Sequence, residues 1–146
     1  MLKEGKGIAL LVLLVSAGLV MGFAQGSSAT STPAKAFGLL GEVKTINYVV
    51  RLSSNPAPPI RGLDMLEAII SDPSGKPIEG AKVSFDLNMT NMNHGKNVVM
   101  AAAKEQGQYL GEVRFMMPGP WRVIVHIEAA GRPSEDFRFE FKVNWR

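Results

Sequence analysis

Residues 81–89 read Ala-Lys-Val-Ser-Phe-Asp-Leu-Asn-Met. Ala81, Val83, Phe85, Leu87 and Met89 alternate without a break with Lys82, Ser84, Asp86 and Asn88. Successive side chains of an extended chain point to opposite faces, so this spacing is that of a half-buried strand, apolar inward and polar outward. Just before it, Asp72-Pro73-Ser74-Gly75-Lys76-Pro77 reads as a tight turn. Proline sets φ at one corner and glycine accepts a positive φ.

The same period recurs on both sides of this strand. Val43 to Leu52 is β-rich, with Ile46, Tyr48, Val50 and Leu52 on one face. A proline-rich break follows over residues 53–62, then a strand from Leu63 to Ser71. Asn97 to Lys104 reads as a further strand, although Ala-Ala-Ala-Lys-Glu over 101–105 also suits a helix. Tyr109, Val113 and Phe115 alternate with Leu110, Glu112 and Arg114, and Gly111 leaves room for a bulky neighbour. Pro118-Gly119-Pro120 interrupts the chain. Trp121, Val123, Val125 and Ile127 then form one face, and Phe137, Phe139, Phe141, Val143 and Trp145 another. The last of these is so rich in core aromatics that a central position in a sheet is expected for it. Seven strands at this spacing, with none of the crossover helices that a parallel sheet needs, define an all-β, immunoglobulin-like antiparallel β-sandwich of about seven strands.

The chain of 146 residues is long enough for one such domain, and hydrophobic residues at 46% suffice for its core. The formal net charge is +3, and removing residues 1–24 lowers it to +2. The positive residues stand singly and form no block, so no nucleic-acid partner is expected. Cysteine is absent, which excludes disulfides, thiolate nucleophiles and cysteine-held zinc or iron–sulfur centres.

Lys3 and Lys6 precede an apolar run from Ile8 to Val20, and Gly22-Phe23-Ala24 places small residues at a cleavage site followed by Gln25. This is the layout of a cleavable signal peptide over residues 1–24, with an uncleaved anchor over residues 8–24 as the alternative. Either way the remainder is exported, to a periplasmic or extracellular location. Residues 25–41 are read as a flexible linker, its first twelve small, polar and proline-bearing, and residues 42–146 as the domain.

Catalytic signatures are missing: there is no Gly-x-Ser-x-Gly elbow, no phosphate-cradling loop and no His-Glu-x-x-His. The carboxylates Asp64, Glu67, Asp86, Glu112, Glu128 and Glu140 fall mostly in outward registers, as does His126, and a solvated face accounts for them. No enzymatic activity is expected. The unusual segment is Asn88-Met89-Thr90-Asn91-Met92-Asn93-His94-Gly95, which carries two thioethers and an imidazole as Met-x-x-Met-x-His. Thioether sulfur is soft and imidazole borderline, a donor set that favours Cu(I) over zinc, calcium or magnesium. Met89, Met92 and His94 are therefore candidate metal ligands, and Met116 and Met117 are candidate additions if their loop shares the same end. The alternative is packing: Met89 continues the inward register, Met92 covers the sandwich end, and His94 before Gly95 is a turn residue. Trp121 opens a strand as a core aromatic and is a candidate neighbour of this loop.

Taken in order, Asp72-x-x-Gly75-x-Pro77, Gly80-Ala81, Val83, Met89-x-x-Met92-x-His94-Gly95, Gly107-x-Tyr109 and Met117-x-Gly119-x-Trp121 resemble the YtkA-like domain family and, more distantly, FixH-type proteins. The resemblance covers roughly residues 43–143. It implies an extracytoplasmic β-sandwich, found alone or fused to subunits of heavy-metal efflux systems, with FixH-type members tied to assembly of copper-dependent cytochrome oxidase. Membrane complexes of those two kinds are the implied partners. FixH-type proteins are anchored by a membrane helix, whereas this chain begins with a signal-like segment.

Overall fold

The computed structural model describes residues 36–146; the signal segment and most of the linker lie outside them. Nine strands follow in order: β1 (Gly38–Lys44), β2 (Val49–Asn55), β3 (Gly62–Ser71), β4 (Lys82–Met89), β5 (Val98–Met100), β6 (Ala102–Ala103), β7 (Gln108–Phe115), β8 (Gly119–Glu128) and β9 (Glu135–Val143). They form two antiparallel sheets, one in the order β1-β2-β3-β7-β6 and the other β5-β4-β8-β9. The chain is an all-β sandwich, as its periodicity requires. No helix occurs among the described residues, and so none there is long and apolar enough to cross a membrane.

Nine strands replace seven because two of the expected strands are each divided. The stretch 43–52 is a hairpin: Lys44 pairs with Val49, and the four residues between them make the turn. Thr45 closes it, its hydroxyl oxygen accepting from the Tyr48 N–H (3.1 Å) and its own N–H donating to the Tyr48 carbonyl (2.8 Å). Ile46 sits at the tip, 90% exposed, rather than on the apolar face. With neither glycine nor proline at this turn, nothing in the period-two pattern marks it. The stretch 97–104 is extended rather than helical, but it changes sheets. Val98–Met100 pairs with β4 and Ala102–Ala103 with β7, and the Ala101 N–H donates to the Val83 carbonyl between them. At the N-terminal end, β1 begins at Gly38, so the sheet reaches back into the stretch assigned to the linker.

The aromatic last strand is an edge and not a centre. β9 pairs with β8 alone. Its inner face is buried all the same, with Phe137, Phe139 and Val143 in the core, while Arg138, Glu140 and Lys142 point outward. Aromatic content reports what one face of a strand packs against, not how many strands flank it. Outward charge is also the usual protection of an exposed edge. Trp145 lies past the strand end and is 69% exposed.

The two sheets interlock where a large side chain from one meets a small one from the other. Phe85 of β4 lies over Gly111 of β7, and Phe139 of β9 over Gly41 of β1. A Cβ at Gly111 would come within 2.9 Å of the Phe85 ring, so the glycine does admit a bulky neighbour. Tyr109 ties the turn before β4 to the core: its hydroxyl donates to the Ile78 carbonyl (2.8 Å) and accepts from the Ala81 N–H (3.0 Å). The turn at 72–77 forms as expected. Asp72 Oδ1 accepts from the N–H groups of Ser74 and Lys76, and Gly75 takes φ +90°.

Gly111→Ala should overpack this contact and lower stability by ~1–3 kcal/mol. Adding Phe85→Leu should return part of that loss. Urea unfolding of the two single variants and the double variant measures the coupling; strictly additive losses would mean that Gly111 and Phe85 do not share the space.

Candidate functional site

The C-terminal end of β4, the β7–β8 turn and the start of β8 meet at one end of the sandwich. Met89 closes β4 and is the register partner of Trp121 on β8. Trp121 is buried, meets Phe115 edge-on at 5.1 Å between ring centroids, and donates its indole N–H to the Met117 carbonyl (2.8 Å). That bond fixes the Met116-Met117-Pro118 turn over the end of the core. The loop that follows Met89 folds back across the same place. The Thr90 N–H donates to the Pro120 carbonyl (3.1 Å), and the His94 N–H to Asn88 Oδ1 (3.3 Å). The His94 imidazole lies nearly parallel to the Trp121 indole, at 6.3 Å and 17°. Gly119 leaves room for the Met89 methyl, since a Cβ there would stand 2.9 Å from Met89 Cε.

The sequence-derived candidates thus share one end of the fold, with unequal access. Met89 is 5% exposed and Met92 48%. They line one open hollow of about 300 Å³ with Asn88, Asn91, Asn93 and Arg122. His94 is exposed and packs on Trp121 instead of lining that hollow. Met116 and Met117 are both exposed on the neighbouring turn. The hollow contains no carboxylate, and its charged side chain is Arg122. Among the described residues, no group of three or more His, Cys, Asp or Glu side chains is arranged to hold a metal ion. The donors gathered at this end are thioether and imidazole.

Two features were not legible in the sequence. Asp64 is not on a solvated face: it is 3% exposed, in the inward register opposite Val113. Its Oδ2 accepts from the Ile60 N–H (3.0 Å), its Oδ1 has no partner among the described residues, and burial pushes its carboxyl above the usual range against the pull of Arg146. Glu67, expected outward, is also nearly covered. His126 is outward as expected, but it is clamped. Its Nδ1 bonds to Asp136 on β9 and its Nε2 to Glu128 (3.0 Å). The pairing of His126 with Asp136 depends on the β8–β9 register, which periodicity does not reveal.

The chain is thus an antiparallel two-sheet sandwich with thioether and imidazole side chains gathered at one end. The YtkA-like family model matches residues 42–126, more than half of the chain, and the chain belongs to that family. Among solved structures it is similar to FetP of uropathogenic E. coli, recombinantly expressed in the periplasm of E. coli, at 18% identity and TM-score 0.57, with 76% of this chain and 98% of that one covered. It is similar to a copper-bound variant of that FetP at 18% identity and TM-score 0.56, covering 74% and 97%. A DUF4426 family protein from Pseudomonas aeruginosa PAO1 matches at 15% identity and TM-score 0.53, covering 71% and 96%. At these identities the likeness is one of fold. The sequence matches no curated protein.

The two carboxylates beside His126 raise its pKa above the usual ~6.5. A group whose pKa is raised on folding adds stability that is fully present below its unfolded value and is lost as pH rises through the folded value. Imidazole NMR should therefore place the His126 midpoint above ~6.5, and Asp136→Asn with Glu128→Gln should return it toward that value. The stability difference between wild type and His126→Gln should shrink as pH rises through the wild-type midpoint. A midpoint at or below the free-histidine value would show that the clamp does not hold the charged form.

Proposed function

We propose that this chain is an exported, non-catalytic β-sandwich module that holds Cu(I) and passes it on. Met89, Met92 and His94 would be its ligands, with Met116 and Met117 as additions from the adjoining turn. The observation that carries this reading is the gathering of soft donors round Trp121, beside a hollow with no carboxylate. Divalent hard cations want anionic oxygen, and an arginine in the hollow opposes a high positive charge. A monovalent soft ion suits thioethers and imidazole. Burial of Met89 at a strand end gives a fixed donor, while Met92 and His94 on the loop are free to close over an ion or release it. The copper-bound form of FetP supports this reading, because it shows copper held on a sandwich of similar fold. Export is supported by the signal-like residues 1–24 and by the periplasmic expression of FetP.

The exposure of Met92, Met116 and Met117 favours a second reading. Flexible, polarizable methionines make adaptable apolar contacts, so the same end would serve as a metal-free docking surface for a membrane complex, such as a heavy-metal efflux system or a cytochrome oxidase under assembly.

A Cu(I) competition titration under anaerobic reducing conditions separates the two. Removing even the partners behind a metal ligand weakens binding ~10–100-fold. The Met92→Ala/His94→Ala double variant, which loses two ligands themselves, should weaken one-to-one binding by at least ~100-fold. Its thermal unfolding should hardly change, since both side chains are exposed. Equal affinity in wild type and double variant would overturn the copper reading. Loss of cross-linking to a membrane complex in the same variant would then support the docking one.

A further inference from the structure

Beside the methionine end, the fold brings together three arginines from three separate segments. Arg61 precedes β3, Arg114 is the penultimate residue of β7, and Arg146 lies beyond β9. With Phe115, Met116 and Trp145 they line a cavity of about 370 Å³. Arg61 is held on two sides: its Nε–H donates to the Met116 carbonyl (3.2 Å), and its guanidinium lies 5.8 Å from the centre of the Trp145 ring. A short parallel bridge between Ile60 and Asn144, with the Arg61 N–H donating to the Asn144 carbonyl (2.9 Å), brings the Trp145-Arg146 segment to this place. Gly62 faces the Arg146 guanidinium, which would stand 3.7 Å from a Cβ there.

Among the described residues, none of the three arginines forms an ion pair, whereas Arg51, Arg132 and Arg138 each do. Asp64 feels the charge of Arg146 but forms no ion pair with any of the three. Asp64 is buried and bound to the Ile60 N–H, and Glu112 stands two residues from Arg114 on the outward face without pairing to it. Like charges drawn into one cavity repel unless something offsets them. Guanidinium forks are the donors best shaped for oxyanions, and three of them offer more N–H groups than the two oxygens of a carboxylate can take up. A phosphate group, with three or four acceptor oxygens, matches them better. Trp145, with the Arg61 guanidinium over its ring and most of its surface exposed, gives the rim an amphipathic ring.

We propose that the cavity formed by Arg61, Arg114 and Arg146 beside Trp145 binds a phosphate group, either free or carried on a lipid headgroup. None of its cationic residues is a proposed metal ligand, although Met116, a proposed additional copper ligand, also lines the cavity.

Trp145 reports on the site, because the second tryptophan, Trp121, is buried. The full chain is titrated with inorganic phosphate, and separately with phosphatidylcholine vesicles with and without phosphatidic acid, whose phosphate monoester keeps three free oxygens. The expected result is a saturable change in Trp145 emission that weakens about tenfold or more in Arg61→Gln/Arg114→Gln. It should persist in Arg51→Gln/Arg138→Gln, which removes the same charge elsewhere. Response to free phosphate identifies a soluble ligand. Response to phosphatidic acid alone, beyond that to phosphatidylcholine, identifies a headgroup monoester; the apolar segment 8–24 is common to all variants and cancels. Arg114→Lys keeps the charge but not the fork, and should also bind more weakly; it serves as the test if the double variant does not fold. No response to either probe overturns the proposal, as does equal loss in the pocket and control variants.

Discussion

The packing of Trp121 is the contact on which this end of the molecule depends. A buried tryptophan removes ~150–250 Å² from water, which at ~25 cal/mol/Å² is worth ~4–6 kcal/mol, a large share of the stability of a small domain. Its edge meets Phe115, its N–H anchors the Met117 carbonyl, its register partner is Met89, and His94 lies over its face. One side chain therefore positions a strand end, a turn and a loop at once. Truncating it would be expected to unfold the end, not merely remove a neighbour. For that reason the proposed copper binding is better probed at Met92 and His94, whose side chains are exposed.

The rest of the sandwich holds that end rigid. Phe85 against Gly111 and Phe139 against Gly41 lock the two sheets face to face, and β5 and β6 pass from one sheet to the other through Ala101. The ion pairs contribute little by comparison. Those joining Glu42 to Lys44 and Arg51, or Arg138 to Glu140, lie on the surface, where such pairs are worth ~0–1 kcal/mol. A stiff scaffold with its chemistry on the connecting loops suits a protein that takes up a ligand and gives it away. Two chemically distinct surfaces sit side by side here. One is soft and sulfur-bearing, the other cationic, and Met116 borders the cationic cavity while its neighbour Met117 is tied to Trp121.

The fold class was legible because inward and outward residues alternate cleanly, as they do from Ala81 to Met89. What the pattern hides is where a strand turns or changes partner. The Thr45–Tyr48 turn uses a threonine hydroxyl instead of glycine or proline, and the switch at Ala101 leaves the extended backbone intact. Strand order is equally hidden: the aromatic content of β9 suggests a central strand, whereas β9 pairs with β8 alone. At the candidate site the donor types and their spacing could be read directly. The meeting of Met89 with Trp121 follows from the β4–β8 register, and the stacking of His94 on Trp121 from the way the loop after Met89 folds back, neither of which the spacing reveals. Asp64, Arg61, Arg114 and Arg146 carry no local signal, because they meet only through pairings between segments distant in the chain.

Copper binding of the proposed kind requires Met89, Met92 and His94 to act together on one ion. Methyl-selective NMR of the methionines, with the His94 ring and the Trp121 indole N–H followed in parallel, reads this residue by residue during titration with Cu(I). Met89, Met92 and His94 should shift at the same equivalence point, with Trp121 responding as their neighbour and Met65 and Met100 staying still. Saturable copper shifts centred on His126, with the Met89 and Met92 methyls unmoved, would contradict this ligand set.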